Sequence, residues 1–167
     1  MISPELLLQL ASDDVEAMER GALGRMRLRR AASTAYYALF HSLCASLAAS
    51  FVPKKSQSVW RQFYRGPSHR GIRTVCEDVL KHRLPPKITR AIGLDRFGTE
   101  IQKFSEAFVT LHELRHLCDY DPLFVVTRQG VMDAISNARV GIDALLAADV
   151  SEQRLFLSLI VWDQRRP

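Results

Sequence analysis

Acidic residues are almost missing from one long stretch of this 167-residue chain: between Arg20 and Arg90 there are 15 Lys and Arg but only two acids, Glu77 and Asp78. Elsewhere the balance reverses to 8 basic against 16 acidic residues, so the net charge of +5 conceals a basic segment joined to an acidic remainder. Such asymmetry accompanies nucleic-acid binding, and it equally serves to neutralise an acidic partner or the chain's own acidic half. Cysteine is scarce as well. Cys44, Cys76 and Cys118 cannot all pair and none stands in a Cys-x-x-Cys spacing, which leaves reduced packing residues rather than a disulfide scaffold. With 8 Gly and 7 Pro the chain is neither collagen-like nor low-complexity, and 47% hydrophobic with 25% charged residues is ordinary for a globular protein. The opening residues Met1 to Leu10 lack the basic start and small-residue cleavage site of a secretory signal, so a cytoplasmic location is expected.

Sustained apolar and polar alternation is absent too, which argues against a sheet; the one β-leaning piece, Leu123 to Thr127, comes after an Asp-Pro and reads equally as a loop. Ala31 to Val52 contains no Asp, Glu, Lys or Arg and is long enough to span a bilayer. Ser33, Thr34, His41, Ser42, Ser46 and Ser50 recur through it, however, and Tyr36-Tyr37 sit near its middle, so a buried helix of a bundle is expected and no membrane partner.

What is present is helical punctuation. Ser3-Pro4 opens a first helix and Ser12-Asp13-Asp14 a second, with Gly21 and Gly24 weakening the chain just beyond it. Residues 27–50 read as one long helix, apolar on nearly every side, stopped by Phe51-Val52-Pro53. Such a helix is either central in a bundle or shared with a dimer interface, and its apolar surplus predicts a symmetric homodimer. Further helices are expected at 59–65, 69–82 (ended by Pro85-Pro86), 99–119, 128–147 and from Ser151 through Trp162, with a loop at Gly93 and Gly98. The fold class is therefore all-α, a single-domain bundle of six or seven helices over residues 1–167.

The helix at 99–119 carries two motifs on the same residues. His112-Glu113-Leu114-Arg115-His116 is a literal HExxH, whose two His one turn apart can bind zinc while the Glu acts as general base. It lacks an edge strand to orient a substrate and an evident third ligand, since Asp119 and Asp121 are very close in sequence. The second motif is Arg115-His-Leu-Cys118-Asp119-Tyr120-Asp121-Pro122. The apolar stripe Phe104, Phe108, Leu111, Cys118 passes through position 115, which sets a guanidinium on the packed seam, where it needs a carboxylate, a carbonyl or a ligand. Asp119, one turn on, is the local partner; a phosphate in a groove, with His116 and Tyr120 nearby, is the functional one.

Arg30-Ala-Ala-Ser33-Thr-Ala-Tyr36-Tyr37-Ala-Leu-Phe40-His41 resembles the signature near the start of the long second helix in HEPN-domain proteins. The later Arg115-x-x-Cys118-Asp119-Tyr120-Asp121-Pro122 resembles that family's R-x-x-A-D-Y-D motif with Cys for Ala, and Thr127 to Leu146 is similar to its final core helix. The matches span residues 27–147. The resemblance implies a compact α-helical homodimer from a family that includes ribonuclease toxins of toxin–antitoxin systems and subunits working beside small nucleotidyltransferases, so such an enzyme is one expected partner protein. In the nuclease members an Arg is followed after four to six residues by a His; here Tyr120 stands at that place after Arg115, and a phenol with a pKa of about 10 is a poor general base near neutrality.

Arg115, Asp119, Tyr120 and His116 are thus the candidate catalytic residues, with no metal or cofactor expected. Lys54, Lys55, Arg61, Arg65, Arg70 and Arg73, interleaved with Trp60, Phe63 and Tyr64, are the candidate nucleic-acid contacts, able to track a single strand while aromatics stack bases. The competing view of that segment is a solvated basic surface whose aromatics are buried. His41 is expected to be a satisfied core or interface residue. The expected function is RNA or nucleotide binding by a HEPN-like protein, either a weakened ribonuclease or an inactive one; a non-catalytic interaction module is the second class and an HExxH zinc hydrolase the third.

Overall fold

The computed structural model describes residues 2–17, 21–52 and 56–163. Among them there are eight α-helices and no strand: α1 (Pro4–Glu16), α2 (Ala22–Phe51), α3 (Gln57–Arg65), α4 (His69–Val79), α5 (Pro86–Ile92), α6 (Thr99–Tyr120), α7 (Arg128–Ala147) and α8 (Val150–Asp163). The all-α class stands, with one helix more than expected. No helix among the described residues is long and apolar enough to cross a membrane.

α2 begins at Ala22 rather than 27 and α4 ends at Val79 rather than 82, and two further differences from the sequence reading have identifiable reasons. Ser12-Asp13-Asp14 starts no helix. It lies inside α1, where Ser12 Oγ donates to the Leu8 carbonyl, Asp13 accepts from Gln9 and Asp14 is drawn to Arg30 of α2. The additional helix, α5, begins at Pro86 itself. Proline ends a helix that precedes it, but at a first helical position its fixed φ and missing N–H suit a new one. Gly93, at φ 73°, closes α5 in the left-handed conformation that glycine adopts without strain.

The 30 residues of α2, about 45 Å long, form the axis of the molecule. α6 and α7 pack along it and on each other, α1 lies across α2 and α7, and α3 lies on the C-terminal half of α2; α4 packs on α6, with α8 against α4 and α6. Neighbours on several sides bury Ala31 to Tyr36, Ala38, Leu39, Ser42 to Cys44, Leu47 and Ala48 within one chain. Neighbours within the chain therefore cover much of the uncharged helix, the surface on which the expectation of a homodimer rests, while Ala45, Ser46 and Ala49 line an open groove. Where α2, α6 and α7 meet, a side chain on Gly141 would place its Cβ 2.8 Å from Ala107 Cβ and 2.9 Å from a Leu39 methyl, so glycine is what lets the three backbones approach. All three cysteines are buried and free.

Candidate functional site

Two stripes of polar side chains face each other across the α2–α6 contact. Ser33, Tyr37 and His41 stand at successive turns of α2, and His112, Arg115 and Asp119 share a face of α6. The helices run antiparallel, so contacts climb one as they descend the other. Ser33 Oγ donates to Asp119 Oδ1 at 2.6 Å, and Arg115 Nη2 donates to Tyr37 Oη at 3.1 Å. Arg115 Nε lies 2.6 Å from Asp119 Oδ2 as an ion pair without hydrogen-bond alignment. The guanidinium carbon is 5.8 Å from the Tyr37 ring centre and 5.3 Å from that of Tyr120, which sandwiches the charge between two π faces. Burial opposes the charge of Arg115, but the Tyr37 hydrogen bond and the Asp119 carboxylate hold its pKa above the ordinary value. The Arg115 side chain is 14% exposed, and its Nη1 donates to nothing among the described residues.

The local partner expected for Arg115 is therefore real, and it does not exhaust the residue. Asp119 itself is held by Ser33 and remains 28% exposed. Tyr120 is exposed, and the ring of His116 sits 5.1 Å from it on the rim. Of the four candidate catalytic residues, Arg115 and Asp119 are joined in one network, Tyr120 borders it through its ring, and His116 lies against Tyr120.

Three other histidines surround the Tyr36-Tyr37 pair, and nothing in their sequence spacing groups them. His69, first residue of α4, has its ring 5.6 Å from Tyr36 and 6.1 Å from Tyr37; His41 is 6.3 Å from Tyr37; His112 is 5.8 Å from Tyr36. Each has Nδ1 within hydrogen-bond distance of a neighbouring side chain. The Tyr36 hydroxyl, whose pKa burial raises, is hydrogen-bonded to His69 Nδ1 at 2.6 Å. The Tyr64 hydroxyl, its pKa raised by burial, is hydrogen-bonded to His41 Nδ1 at 2.8 Å, and Arg73 Nη1 points at His112 Nδ1 from 3.3 Å. All three imidazoles titrate below their ordinary value. Burial is the leading cause for each, and neighbouring cations add to it: Arg115 at His69, Arg73 and Arg115 at His112. They are neutral near pH 7, each with one donor and one acceptor ring nitrogen. Arg115, His69, His41 and His112 thus gather around Tyr36 and Tyr37, with the guanidinium the fixed positive charge among them.

The HExxH letters take other work. Glu113 accepts from Arg73 Nη1 at 2.9 Å, Arg73 Nε pairs with Glu77 at 2.7 Å, and the same guanidinium contacts His112. A fixed cation at that position repels a divalent ion, and no three His, Cys, Asp or Glu side chains come together as a ligand set among the described residues. The zinc hydrolase reading lacks its third ligand here.

Of the candidate nucleic-acid contacts, Lys54 and Lys55 lie outside the described residues. Arg61, Arg65 and Arg70 are exposed and make no ion pair among the described residues, whereas Arg73 is engaged by Glu77 and Glu113. The interleaved aromatics are neither free nor buried. Trp60, Phe63 and Tyr64 are half-buried, and α3 has no buried residue at all.

One arginine outside the candidate set organises the end of α6. Arg29 of α2 donates through Nε to the Cys118 carbonyl (2.7 Å) and through its terminal nitrogens to the carbonyls of Asp121 (2.8 Å) and Phe124 (3.0 Å). These oxygens include chain ends that the helix leaves unpaired, and α6 has no basic residue of its own in its last turn. Compared with protein-family models, with curated proteins and with solved structures, the chain matches none.

Proposed function

We propose that the protein binds single-stranded RNA, or a nucleotide, by taking a phosphate on Arg115, and that it cleaves RNA weakly or not at all, in the manner of a HEPN-like protein with a degenerate catalytic pair. One observation carries this: the Arg115 guanidinium, 14% exposed, keeps Nη1 without an acceptor among the described residues and lies against the Tyr37 ring, which His41 and His69 border. A guanidinium contributes donors to a phosphate but is no general base, and each of the three histidines has its Nδ1 tied to a neighbouring side chain. Tyr120, at the place of the family's histidine, brings a phenol instead. A second copy of the chain enters this proposal through the resemblance alone.

The test is binding of a labelled single-stranded RNA, monitored by anisotropy. Arg115→Met is expected to weaken it by about tenfold or more, the worth of a hydrogen bond to a charged group, while far-UV circular dichroism stays native. Tyr120→His, at an exposed position, restores the Arg and His spacing and is expected to raise cleavage above that of the wild type. Strong wild-type cleavage that survives Arg115→Met places the site elsewhere.

A further inference from the structure

A groove of about 810 Å³ opens between the C-terminal half of α2 and α3. Its α2 side is made of Ala45, Ser46 and Ala49 with Val52 at the end of the helix; its α3 side of Gln57, Trp60 and Arg61. Small side chains facing a large indole leave a flat slot rather than a round hole. Trp60 is braced from within, stacked on Tyr64 with ring centres 4.9 Å apart and planes 22° apart. The stack continues from Tyr64 to His41 (5.8 Å, 11°) and from His41 to Tyr37 (6.3 Å, 30°), and Tyr37 is the ring beneath Arg115. A ladder of four rings therefore connects the groove with the guanidinium.

Charge selects the occupant. From Arg20 through Cys76 the sequence contains no Asp or Glu, so neither α2 nor α3 presents an acid to the groove, and Arg61 on its wall is exposed and makes no ion pair among the described residues. An aromatic face, an amide for edge recognition on Gln57 and an unpaired guanidinium for a phosphate together fit a base with its phosphate attached. A purely apolar peptide side chain would use the slot and leave Gln57 and Arg61 without purpose.

We infer that this groove is a nucleobase subsite, in which a base stacks on Trp60 over the Ala45–Ser46–Ala49 floor while Arg61 holds its phosphate. The inference rests on the RNA- or nucleotide-binding proposal and adds to it the place of the base, at the far end of the aromatic ladder from Arg115.

The experiment uses the full chain carrying Trp162→Phe, so that Trp60 is the sole indole, with labelled hexaadenylate RNA as the probe. Binding is expected to quench Trp60 emission. Trp60→Ala is expected to weaken the affinity by about tenfold, within the range for loss of one base stack, with Trp60→Tyr retaining most of it. Ala49→Leu, which fills the slot while leaving every ring of the aromatic ladder in place, keeps the test alive should Trp60→Ala unfold, and is expected to weaken the same binding. An abasic strand with the same number of phosphates is expected to bind more weakly than hexaadenylate. Competition by AMP points to a free nucleotide as the source of the base, and failure to compete points to a strand; both support the subsite. If the abasic strand binds equally well and Trp60→Ala or Ala49→Leu changes nothing while Arg115→Met abolishes binding, the subsite is wrong and the phosphate proposal stands. If no RNA or AMP binds at all, or if only a protein occupies the groove, both are wrong.

Discussion

The side chains around Tyr36 and Tyr37 determine how the molecule responds to acid. His41, His69 and His112 all titrate below their ordinary value, with burial the leading cause and, for His69 and His112, arginine charge adding to it. Above the unfolded histidine value of about 6.5 both folded and unfolded chains carry neutral imidazoles and stability is at its full level. As pH falls below that, the unfolded chain takes up protons that the folded one resists, so stability drops. The midpoint of thermal unfolding is therefore expected to be level between about pH 7 and 8 and to decline from about 6.5 down to 5, before most carboxylates titrate. His69→Gln is expected to shallow that decline, and a midpoint that rises on acidification would contradict the assignment of neutral rings. Local spacing makes part of this cluster readable. Arg115 stands out because a 4, 3, 4, 3 apolar stripe runs through it, and Asp119 lies one turn away. Ser33, Tyr37 and His69 cannot be assigned in that way, because their partners are 33 to 86 positions distant and only the antiparallel register of α2 and α6 brings the Ser33 and Tyr37 pairs together. His112 is visible in the sequence but reads there with His116 as a metal pair; its burial and the nearby Arg73, which comes from another helix, set its environment instead.

At the scale of elements, the site depends on how α6 ends. Asp119 and Tyr120 lie in its last turn, where unpaired carbonyls concentrate negative charge, and Arg29 supplies the compensating donors from α2. Arg29→Met keeps the length of the side chain and removes every donor. It is expected to destabilise the protein by about 2 kcal/mol, in line with losing charged hydrogen bonds to partly buried carbonyls. Because fraying of that turn would release Asp119 from Ser33, RNA affinity is expected to fall as well, to a smaller degree than with Arg115→Met. Chemical denaturation and the anisotropy titration read the two effects separately; unchanged stability would show that water serves those carbonyls equally well. Most elements can be located from their punctuation. Ser3-Pro4, Asp121-Pro122 and the spacing of Val131, Ala138, Ile142 and Leu145, with the partly buried Ile135, correspond to the start of α1, the end of α6 and the packed face of α7. Where the sequence misleads, one signal has two meanings. Pro85-Pro86 reads as the stop of a helix over 69–82, but α4 already ends at Val79 and Pro86 begins α5, and Ser12-Asp13-Asp14 has the composition of a cap but serves α1 from inside the helix. Gly24, expected to weaken the chain, is buried within α2.

For the whole molecule, the separation of charge along the sequence becomes a separation of roles. Part of the basic segment is neutralised internally, through Arg30 with Asp14 and Arg73 with Glu77 and Glu113, as expected for a fold that must balance itself. Arg61, Arg65 and Arg70 are not, and they project from the same region as the Trp60 groove and the start of α4. Exposed, unpaired guanidiniums contribute little to folding and a great deal to long-range attraction of a polyanion. If they contact phosphates, each releases a counterion when RNA binds, and the dependence of log affinity on log salt becomes a count of such contacts. Replacing Arg61, Arg65 and Arg70 together by Gln is expected to flatten that slope by about 2, from roughly 0.7 per phosphate contact on a single strand, with little effect on thermal stability. Replacing Arg115 alone is expected to change the slope by less than one unit while costing comparable affinity at a fixed salt concentration, because its contribution is a directed hydrogen bond from a half-enclosed site. A triple variant with the wild-type slope would mean that these arginines face solvent during binding, and the basic segment would then have to be explained by an acidic protein partner.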